Sequence, residues 1–250
     1  MPKRVMLAPP ENVMVQADNP TRAKELMKAS ISEGAEAFGI QFEQMEKKFR
    51  KPEVYRDLFE HAGGRPVYVT NYRHTKNDGK TDDMLADELL ELAGCGADIC
   101  DVMGDCFDRQ EGELTTDKYA TEKQKELICS LHEKGAKALM SSHVFKYTEA
   151  ERVLEIALEH QNRGADICKI VTGAETAAQQ IENLKIINML KENLKIPFLF
   201  LCCGECRILR RIGPALGCCM YLCVHEYDEL ATPVQPLLKD IKLIRDVIEI

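Results

Sequence analysis

The sequence predicts a single α/β domain of the (β/α)8 TIM barrel class, and three observations lead to this prediction. A joint in which a helix ends at a glycine and a buried strand follows recurs along the chain, the chain contains eight short apolar runs, and its length is 250 residues. One barrel of this class typically takes about 250 residues. No linker, low-complexity tract or shift in composition divides the sequence, so one domain over residues 1–250 is expected.

The recurring joint places a glycine before alanine and an apolar run. It reads "EGAEAFGI", "CGADICDV", "KGAKALMSS" and "RGADICKIV", with the glycines Gly34, Gly96, Gly135 and Gly164. Glycine in the left-handed conformation commonly closes the C-terminus of a helix, and here a buried strand follows directly. The last two glycines are separated by about one β–α unit, roughly 30 residues.

The apolar runs predict the strands in order, and the amphipathic stretches between them predict the helices. The strands are expected at residues 4–7, 37–42, 66–70, 98–103, 138–142, 166–171, 197–202 and 217–224. The helices are expected at residues 21–33, 52–62, 82–93, 121–133, 148–162, 175–192 and 236–248, with a short one within 205–214. Such short apolar strands are typical of a parallel sheet covered by helices. An open doubly wound sheet is the alternative, although no glycine-rich dinucleotide fingerprint follows the first run.

Composition argues against several classes of partner. The net charge of −8 disfavours nucleic acid and anionic membranes, which are themselves negative. The longest apolar stretch, "IPFLFLCC", is far shorter than the ~20 residues of a membrane-spanning helix. The apolar run at the N-terminus is shorter than the ~7–15 residues of a signal peptide. We therefore expect a cytoplasmic protein that binds neither nucleic acid nor membranes.

The eleven cysteines are interpreted mainly as packing residues. Cys100, Cys168 and Cys202 lie inside strand-like runs, where cysteine behaves as a small hydrophobic residue. Cys203 and Cys206 form a single CxxC pair, and a zinc or iron–sulfur site would normally need further ligands at a suitable spacing. No metal and no cofactor are expected, and a cysteine-ligated metal protein is kept as an alternative.

Lys169 is the residue that most strongly indicates chemistry. It lies inside the apolar run "DICKIV", so we expect it to be at least partly buried, which is rare for lysine unless its charge is compensated. Burial disfavours the ammonium form and supplies the neutral amine that forms an imine with a carbonyl. The alternatives are a lysine that reaches solvent at the barrel rim or one that pairs with a carboxylate.

Further candidates follow the ends of other strands, where chemistry is found in barrels of this class. His143 in "SSHVF" ends the strand before that of Lys169, and a histidine there can move the protons that imine chemistry mobilises, although many histidines are structural. Arg73 in "TNYRH", Arg211 in "CCGECRILRR" and Gln235 in "ATPVQ" follow three more strands. An arginine can bind a substrate carboxylate through two hydrogen bonds, although most arginines are solvated surface residues.

These segments resemble type I 3-dehydroquinate dehydratase, a family of class I aldolase-like barrels, over nearly the whole chain. "SSHVFKYT" and "GADICKIV" are similar to its histidine and Schiff-base lysine segments, "TNYR" to its third-strand arginine motif, and "GECRILRRIGPALGC" to the segment with its carboxylate-binding arginine. The resemblance implies that Lys169 forms an imine with a ketone and that His143 removes the adjacent proton and helps the β-hydroxyl group leave as water. It assigns substrate binding to Arg73, Arg211 and Gln235.

The chain also departs from the family pattern. Met103 stands where the family has a glutamate that orients the histidine, and Gly39 and Gln41 stand where a glutamate and an arginine face the substrate. Gln41 and Met103 are accordingly expected to contact the substrate, and Ala231 replaces a serine of the last loop. The resemblance therefore implies weak or absent turnover of 3-dehydroquinate, with Asp105 predicted as the substitute carboxylate beside the histidine.

The residues thus predict an imine-forming lysine, and the resemblance implies a carbon–oxygen lyase that acts on a small keto acid and forms a homodimer. One alternative is an imine-forming enzyme that acts on a different keto acid. The other is a barrel that binds a ligand without catalysis.

Overall fold

The chain folds into eight parallel strands that alternate with eight α-helices, in a computed structural model that describes residues 9–205 and 207–248. The strands are β1 Glu11–Val15, β2 Ala37–Gln41, β3 Val67–Thr70, β4 Ile99–Met103, β5 Lys137–His143, β6 Ile167–Gly173, β7 Phe198–Cys203 and β8 Tyr221–Cys223. The helices are α1 Pro20–Ser32, α2 Pro52–His61, α3 Asp82–Gly94, α4 Lys118–Glu133, α5 Ala150–Asn162, α6 Ala177–Asn193, α7 Leu209–Leu216 and α8 Leu238–Val247.

The strands form one curled sheet in the order β7-β6-β5-β4-β3-β2-β1-β8. Consecutive strands are neighbours and β8 returns to pair with β1, which is the order of a barrel. At the seam between the two ends, the N–H of Cys219 donates to the carbonyl of Phe198 at 2.8 Å. Helices cover the outer face, so the predicted (β/α)8 class is confirmed.

The first strand is not where the sequence pattern predicted it. The predicted strand at residues 4–7 lies outside the described residues, and β1 is formed by Glu11–Val15, "ENVMV". This segment begins with two polar residues and follows two prolines, so its apolar pattern is weak. Glu11 is nonetheless buried, because its carboxylate pairs with Arg245 and, at 3.5 Å, with Lys242 on α8.

The helix-to-strand joints have the predicted backbone conformation. Gly34, Gly96, Gly135 and Gly164 all have positive φ, between 82° and 113°. Residues with a Cβ atom disfavour this region, so glycine suits these helix ends. The remaining seven predicted strands and all the predicted helices agree with the observed elements to within a few residues at each end.

Cys100, Cys168 and Cys202 are buried in β4, β6 and β7, as expected for packing residues. Burial raises the pKa of the Cys100 thiol to about 12, which keeps it protonated. Cys206 of the CxxC pair lies outside the described residues. In the part of the chain that the structure describes, no helix combines the length and the apolar character needed to cross a lipid bilayer.

Candidate active site

The C-terminal ends of the strands surround a cavity of about 630 Å³. Small-molecule sites typically measure about 300–1,000 Å³. Of the site residues predicted from the sequence, all but Arg211 line this cavity: Lys169, His143, Asp105, Arg73, Gln41, Met103 and Gln235. The predicted residues therefore meet at one cavity, while the contacts among them differ from the prediction in several places.

Lys169 lies buried on β6, and its amine is held by three oxygens. Its Nζ donates to the hydroxyl of Tyr72 at 2.6 Å, to the hydroxyl of Tyr68 at 3.1 Å and to Oδ2 of Asp101 at 3.1 Å. The pairing with a carboxylate, one of the alternatives left open by the sequence, is thus present. It coexists with access to the cavity, because Lys169 is among the lining residues.

Asp101 is fully enclosed on β4, beside Lys169. Burial alone would raise its pKa, but the charges of Lys169 and His143 and the hydroxyl donors around it hold the pKa of Asp101 below its ordinary value. Ser141 donates to Oδ1 at 2.5 Å, and Tyr68 and Tyr72 donate to Oδ2. Asp101 is therefore a buried carboxylate that stays ionised, and it compensates the charge of Lys169.

His143 ends β5 and faces the same cavity from the strand next to Lys169. Its Nδ1 lies 2.7 Å from Oε2 of Glu113, and its backbone N–H donates to the same oxygen at 2.9 Å. Burial alone would raise the pKa of Glu113, but the hydrogen bonds and charge of His143 keep it below the usual value. An ionised carboxylate at Nδ1 fixes the tautomer that leaves Nε2 free to take up a proton, and it stabilises the imidazolium that results.

The carboxylate beside the histidine is therefore Glu113 and not Asp105, and the prediction for Asp105 is wrong. Asp105 instead accepts a hydrogen bond from Nη1 of Arg73 at 2.7 Å and one from the backbone of Gln110 at 2.9 Å. Arg73 also forms two parallel bonds of 2.7 Å with Asp82. The guanidinium of Arg73 is thus neutralised by two carboxylates, which leaves it poorly suited to bind the carboxylate of a ligand.

Glu113 is carried by the long connection between β4 and α4, residues 104–117, and buried polar side chains fasten this segment. Arg163 donates to the carbonyls of Gly104 at 2.9 Å and Thr115 at 2.6 Å, and Gln124 donates to Gly104 at 3.1 Å. Ser142 donates to the carbonyl of Glu113 itself at 2.5 Å. A Cβ atom at Gly104 would come within 2.5 Å of that carbonyl, so the close approach requires glycine.

The arginine that reaches the cavity after β7 is Arg210, the neighbour of the predicted Arg211. The chain enters α7 with Arg210 on its buried side, where its Nε donates to the carbonyl of Cys202 at 2.8 Å and its Nη2 to Sγ of Cys203 at 3.2 Å. Arg211, one residue further round the helix, is half-buried and does not line the cavity. Among the described residues no carboxylate pairs with Arg210, so its charge remains available to an anion.

Two of the predicted residues that line the cavity, Gln41 and Gln235, are amides. Gln41 at the end of β2 accepts a hydrogen bond from Gln16 at 2.7 Å. Gln235 is buried, and its Oε1 has no hydrogen-bond partner among the described residues. A buried polar atom without a partner is unfavourable, so a ligand donor is the natural complement to Gln235.

No group of three or more histidine, cysteine or carboxylate side chains in residues 9–205 and 207–248 is arranged to hold a metal ion. The cavity brings together an amine, a carboxylate-supported imidazole and the buried arginine Arg210. This set can form an imine, move a proton next to it and bind an anionic group.

A family model for type I 3-dehydroquinase matches residues 13–250 of the chain. This chain belongs to the type I 3-dehydroquinase family. The family is one of carbon–oxygen lyases, so the predicted enzyme class is confirmed. No curated protein matches the sequence significantly.

Solved structures of this family share the fold. The type I 3-dehydroquinate dehydratase from Clostridium difficile, solved with covalently modified comenic acid, is 16% identical, covers 96% of this chain and 92% of its own, and gives a TM-score of 0.78. The enzyme from Geobacillus kaustophilus is 15% identical over 96% and 90% of the two chains, with a TM-score of 0.79. That from Aquifex aeolicus is 17% identical over 96% and 99%, with a TM-score of 0.70.

In this type I 3-dehydroquinase, other residues occupy the positions beside the departures noted in the sequence. A Cβ atom at Gly39 would collide with the thioether of Met14, so Met14 occupies the space that a longer side chain would need. Beside Ala231, the hydroxyl of Thr232 lines the cavity and accepts a hydrogen bond from Gln16 at 2.5 Å. Met103 lines the cavity as predicted, but it does not leave the histidine without a carboxylate.

Glu43, just after β2, is a second enclosed carboxyl near the site. Thr70 donates to both of its oxygens, at 3.0 and 2.8 Å. Burial is the main reason that the pKa of Glu43 is raised to about 7, and the nearby charge of Asp101 adds to the effect. Glu43 is therefore protonated in the folded protein at pH values where it is ionised in the unfolded chain.

We expect this carboxyl to make the stability of the protein fall as pH rises. Because the folded state binds the proton more tightly, the free energy of unfolding should decrease between about pH 4.5 and about pH 7, by about 3 kcal/mol for a shift of this size. In Glu43→Gln, which is neutral at every pH, this component should disappear. Urea unfolding of both proteins across that range measures the difference, and parallel pH profiles for the two would contradict the assignment.

Proposed function

We propose that this type I 3-dehydroquinase dehydrates a cyclic β-hydroxy keto acid through an imine on Lys169, with His143 as the general acid and base and 3-dehydroquinate as the first substrate to test. The observation that carries the proposal is that Lys169 and His143 lie on adjacent strands and line the same cavity, with His143 supported by Glu113. A lyase of this kind needs both groups to reach one ligand.

In this mechanism the amine of Lys169 attacks the ketone, water is lost and a protonated imine forms. Asp101, already paired with Lys169, stabilises the positive nitrogen of that imine. His143 then takes the proton from the carbon next to the imine, and Glu113 stabilises the resulting imidazolium. The imidazolium returns the proton to the β-hydroxyl group, which leaves as a second water, and hydrolysis of the imine releases the unsaturated keto acid.

The substrate carboxylate is assigned to Arg210, because its charge is uncompensated among the described residues and it faces the cavity. Gln235 and Gln41 are assigned to the hydroxyl groups of the substrate, since Oε1 of Gln235 lacks a partner in the same part of the chain. Arg73 is assigned a structural part, with Asp82 and Asp105. In the sequence-based assignment Arg211 held the place now given to Arg210.

A different cyclic β-hydroxy keto acid is the second candidate substrate. Two observations favour it: Met14 fills the space beside Gly39, and the charge of Arg73 is neutralised. Both change which groups of the cavity wall can form hydrogen bonds with the hydroxyl groups of a ligand. The amine of Lys169 and the imidazole of His143 stay in place. The homodimer and the cytoplasmic location also remain predictions, the first of which size-exclusion chromatography at several concentrations tests.

Borohydride trapping tests the proposal. The protein is incubated with 3-dehydroquinate or with each of a panel of small keto acids, reduced, and weighed intact, and the modified peptide is mapped. We expect one adduct per chain, on Lys169, with a mass that identifies the substrate that forms the imine. Lys146→Ala is the matched control, because Lys146 directly follows the cavity-lining Phe145 but is exposed and paired with Glu111, and it should trap like the wild type.

Unchanged mass with every compound would favour a barrel that binds its ligand without covalent chemistry. An adduct that maps to Lys146 and vanishes in Lys146→Ala would show that the reactive amine was wrongly assigned.

A further inference from the structure

Tyr72 connects the cavity to the buried carboxylate beside Lys169. Its hydroxyl accepts a hydrogen bond from Nζ of Lys169 at 2.6 Å and donates to Oδ2 of Asp101 at 2.5 Å. Its ring packs edge-on against the imidazole of His143, with 5.2 Å between the ring centres. Tyr72 therefore touches the reactive nitrogen, the carboxylate that compensates it and the proposed general base.

Tyr72 itself lines the cavity, together with Lys169. Among residues 9–205 and 207–248, four side chains donate to the carboxylate of Asp101: Lys169, Tyr72, Tyr68 and Ser141. Of these four, Lys169 and Tyr72 line the cavity, while Tyr68, Ser141 and Asp101 itself do not. A proton that passes along these hydrogen bonds between Asp101 and a ligand oxygen travels through the amine or through the hydroxyl of Tyr72.

Building on the proposed function, we infer that Tyr72 is a catalytic residue of the imine step, whose hydroxyl carries protons between Asp101 and the oxygen of the bound ketone. The phenol is well placed for relay, because it holds a donor bond and an acceptor bond at the same time. Burial, and then the charge of Asp101, raise the pKa of Tyr72 well above its ordinary value, so the hydroxyl keeps its proton between transfers.

The protons of the step balance without any further reactant. The ammonium of Lys169 first gives a proton to Asp101, and the neutral amine attacks the carbonyl carbon, whose oxygen takes the proton of Tyr72. Tyr72 is then reprotonated from Asp101. A second proton leaves the nitrogen and follows the same route to that oxygen, which departs as water as the carbon–nitrogen double bond forms. One ketone and one ammonium thus give one protonated imine and one water, and hydrolysis reverses the path.

The test compares Tyr72→Phe with Tyr68→Phe. Each variant removes one buried phenol hydroxyl that donates to Asp101 and contacts Lys169, so the two match in the bonds lost. The readout is the rate at which the reducible adduct forms when borohydride is added at successive times, with 3-dehydroquinate or whichever keto acid the wild type traps. General acid–base catalysis contributes about 10²–10⁴-fold, so we expect Tyr72→Phe to slow adduct formation at least about 100-fold, and Tyr68→Phe less than about tenfold.

Equal rates in Tyr72→Phe and the wild type would overturn the role of Tyr72 while leaving the Schiff-base function intact. Absence of an adduct in the wild type would instead overturn the proposed function, and the relay with it. If Tyr72→Phe does not fold, 3-fluorotyrosine placed at position 72 keeps the ring and both hydrogen bonds but is a stronger acid. The relay then predicts that 3-fluorotyrosine at position 72 changes both the rate and the pH profile of adduct formation on Lys169, and that 3-fluorotyrosine at position 68 changes neither. Identical behaviour of the two substituted proteins would refute the relay.

Discussion

Replacing Lys169 by methionine is expected to abolish turnover and, at the same time, to destabilise the fold. Methionine has nearly the length of lysine but no amine, so no imine forms; in another covalent enzyme the loss of the nucleophile costs about 10⁶-fold in turnover. The substitution also leaves the ionised Asp101 buried without its cation. Breaking a buried pair in this way typically costs about 3–5 kcal/mol of stability. Turnover assays and urea unfolding measure the two effects.

The double variant Lys169→Met with Asp101→Asn separates these effects. It removes both charges, so most of the lost stability should return, while turnover should stay absent because the amine is still missing. Ser141 and the two tyrosines can still bond to an asparagine side chain at position 101. If Lys169→Met alone is as stable as the wild type, the ion pair does not compensate the buried charge of Asp101. Residual turnover in the double variant would remove Lys169 from the mechanism.

Replacing His143 by alanine is expected to lower turnover by about 10²–10⁴-fold, the usual contribution of a general acid and base. The imine should still form, because Lys169 and its partners remain, and the adduct trapped by borohydride should accumulate to a higher level than in the wild type. This combination separates the loss of proton transfer from a failure of binding or folding. The measurements are steady-state turnover and the fraction of protein trapped during turnover.

Glu113→Gln and Asp105→Asn provide the matched comparison for this prediction. Glu113→Gln keeps the size of the side chain but removes the charge at Nδ1, so it should lose part of the same factor and shift the pH profile of turnover. Asp105→Asn removes a charge of the same sign that bonds to Arg73 and lies outside hydrogen-bonding range of the histidine. If Asp105→Asn reproduces the effect on turnover and Glu113→Gln does not, the assignment of the supporting carboxylate is wrong.

The apolar strands and amphipathic helices could be predicted from the sequence, and so could the cavity-lining residues that lie on those strands. Lys169 lies within a strongly apolar strand and His143 ends the preceding one, and the order of the strands makes these two strands neighbours. The first strand, Glu11–Val15, was not predicted because its apolar pattern is short and begins with a charged residue. Glu11 is buried through ion pairs with α8, which is distant in the sequence.

The residues that the sequence missed have physical reasons in common. Glu113 lies in a connection with no periodicity, and what brings it to the histidine is a set of long-range bonds to the loop backbone. Arg210 and Arg211 are adjacent, and only the orientation of α7 decides which of them faces the cavity. The position of Tyr72 could have been inferred only weakly from the sequence. Tyr68, Thr70 and Tyr72 alternate along the chain, so Tyr72 continues the face of β3 that points inward.

The fastening of residues 104–117 holds Glu113, and with it the proposed general base His143, in place once the chain has folded. Fixing the backbone of one residue costs about 1–2 kcal/mol in conformational entropy. Because Arg163 and Gln124 bind the carbonyls of this segment inside the protein, that entropy is lost when the chain folds and not each time a ligand arrives. The imidazole is thus preorganised, and little reorganisation of the loop remains for the reaction itself. Arg163 and Gln124, which lie outside the cavity lining, thereby order the loop that holds the proposed general base before any ligand binds.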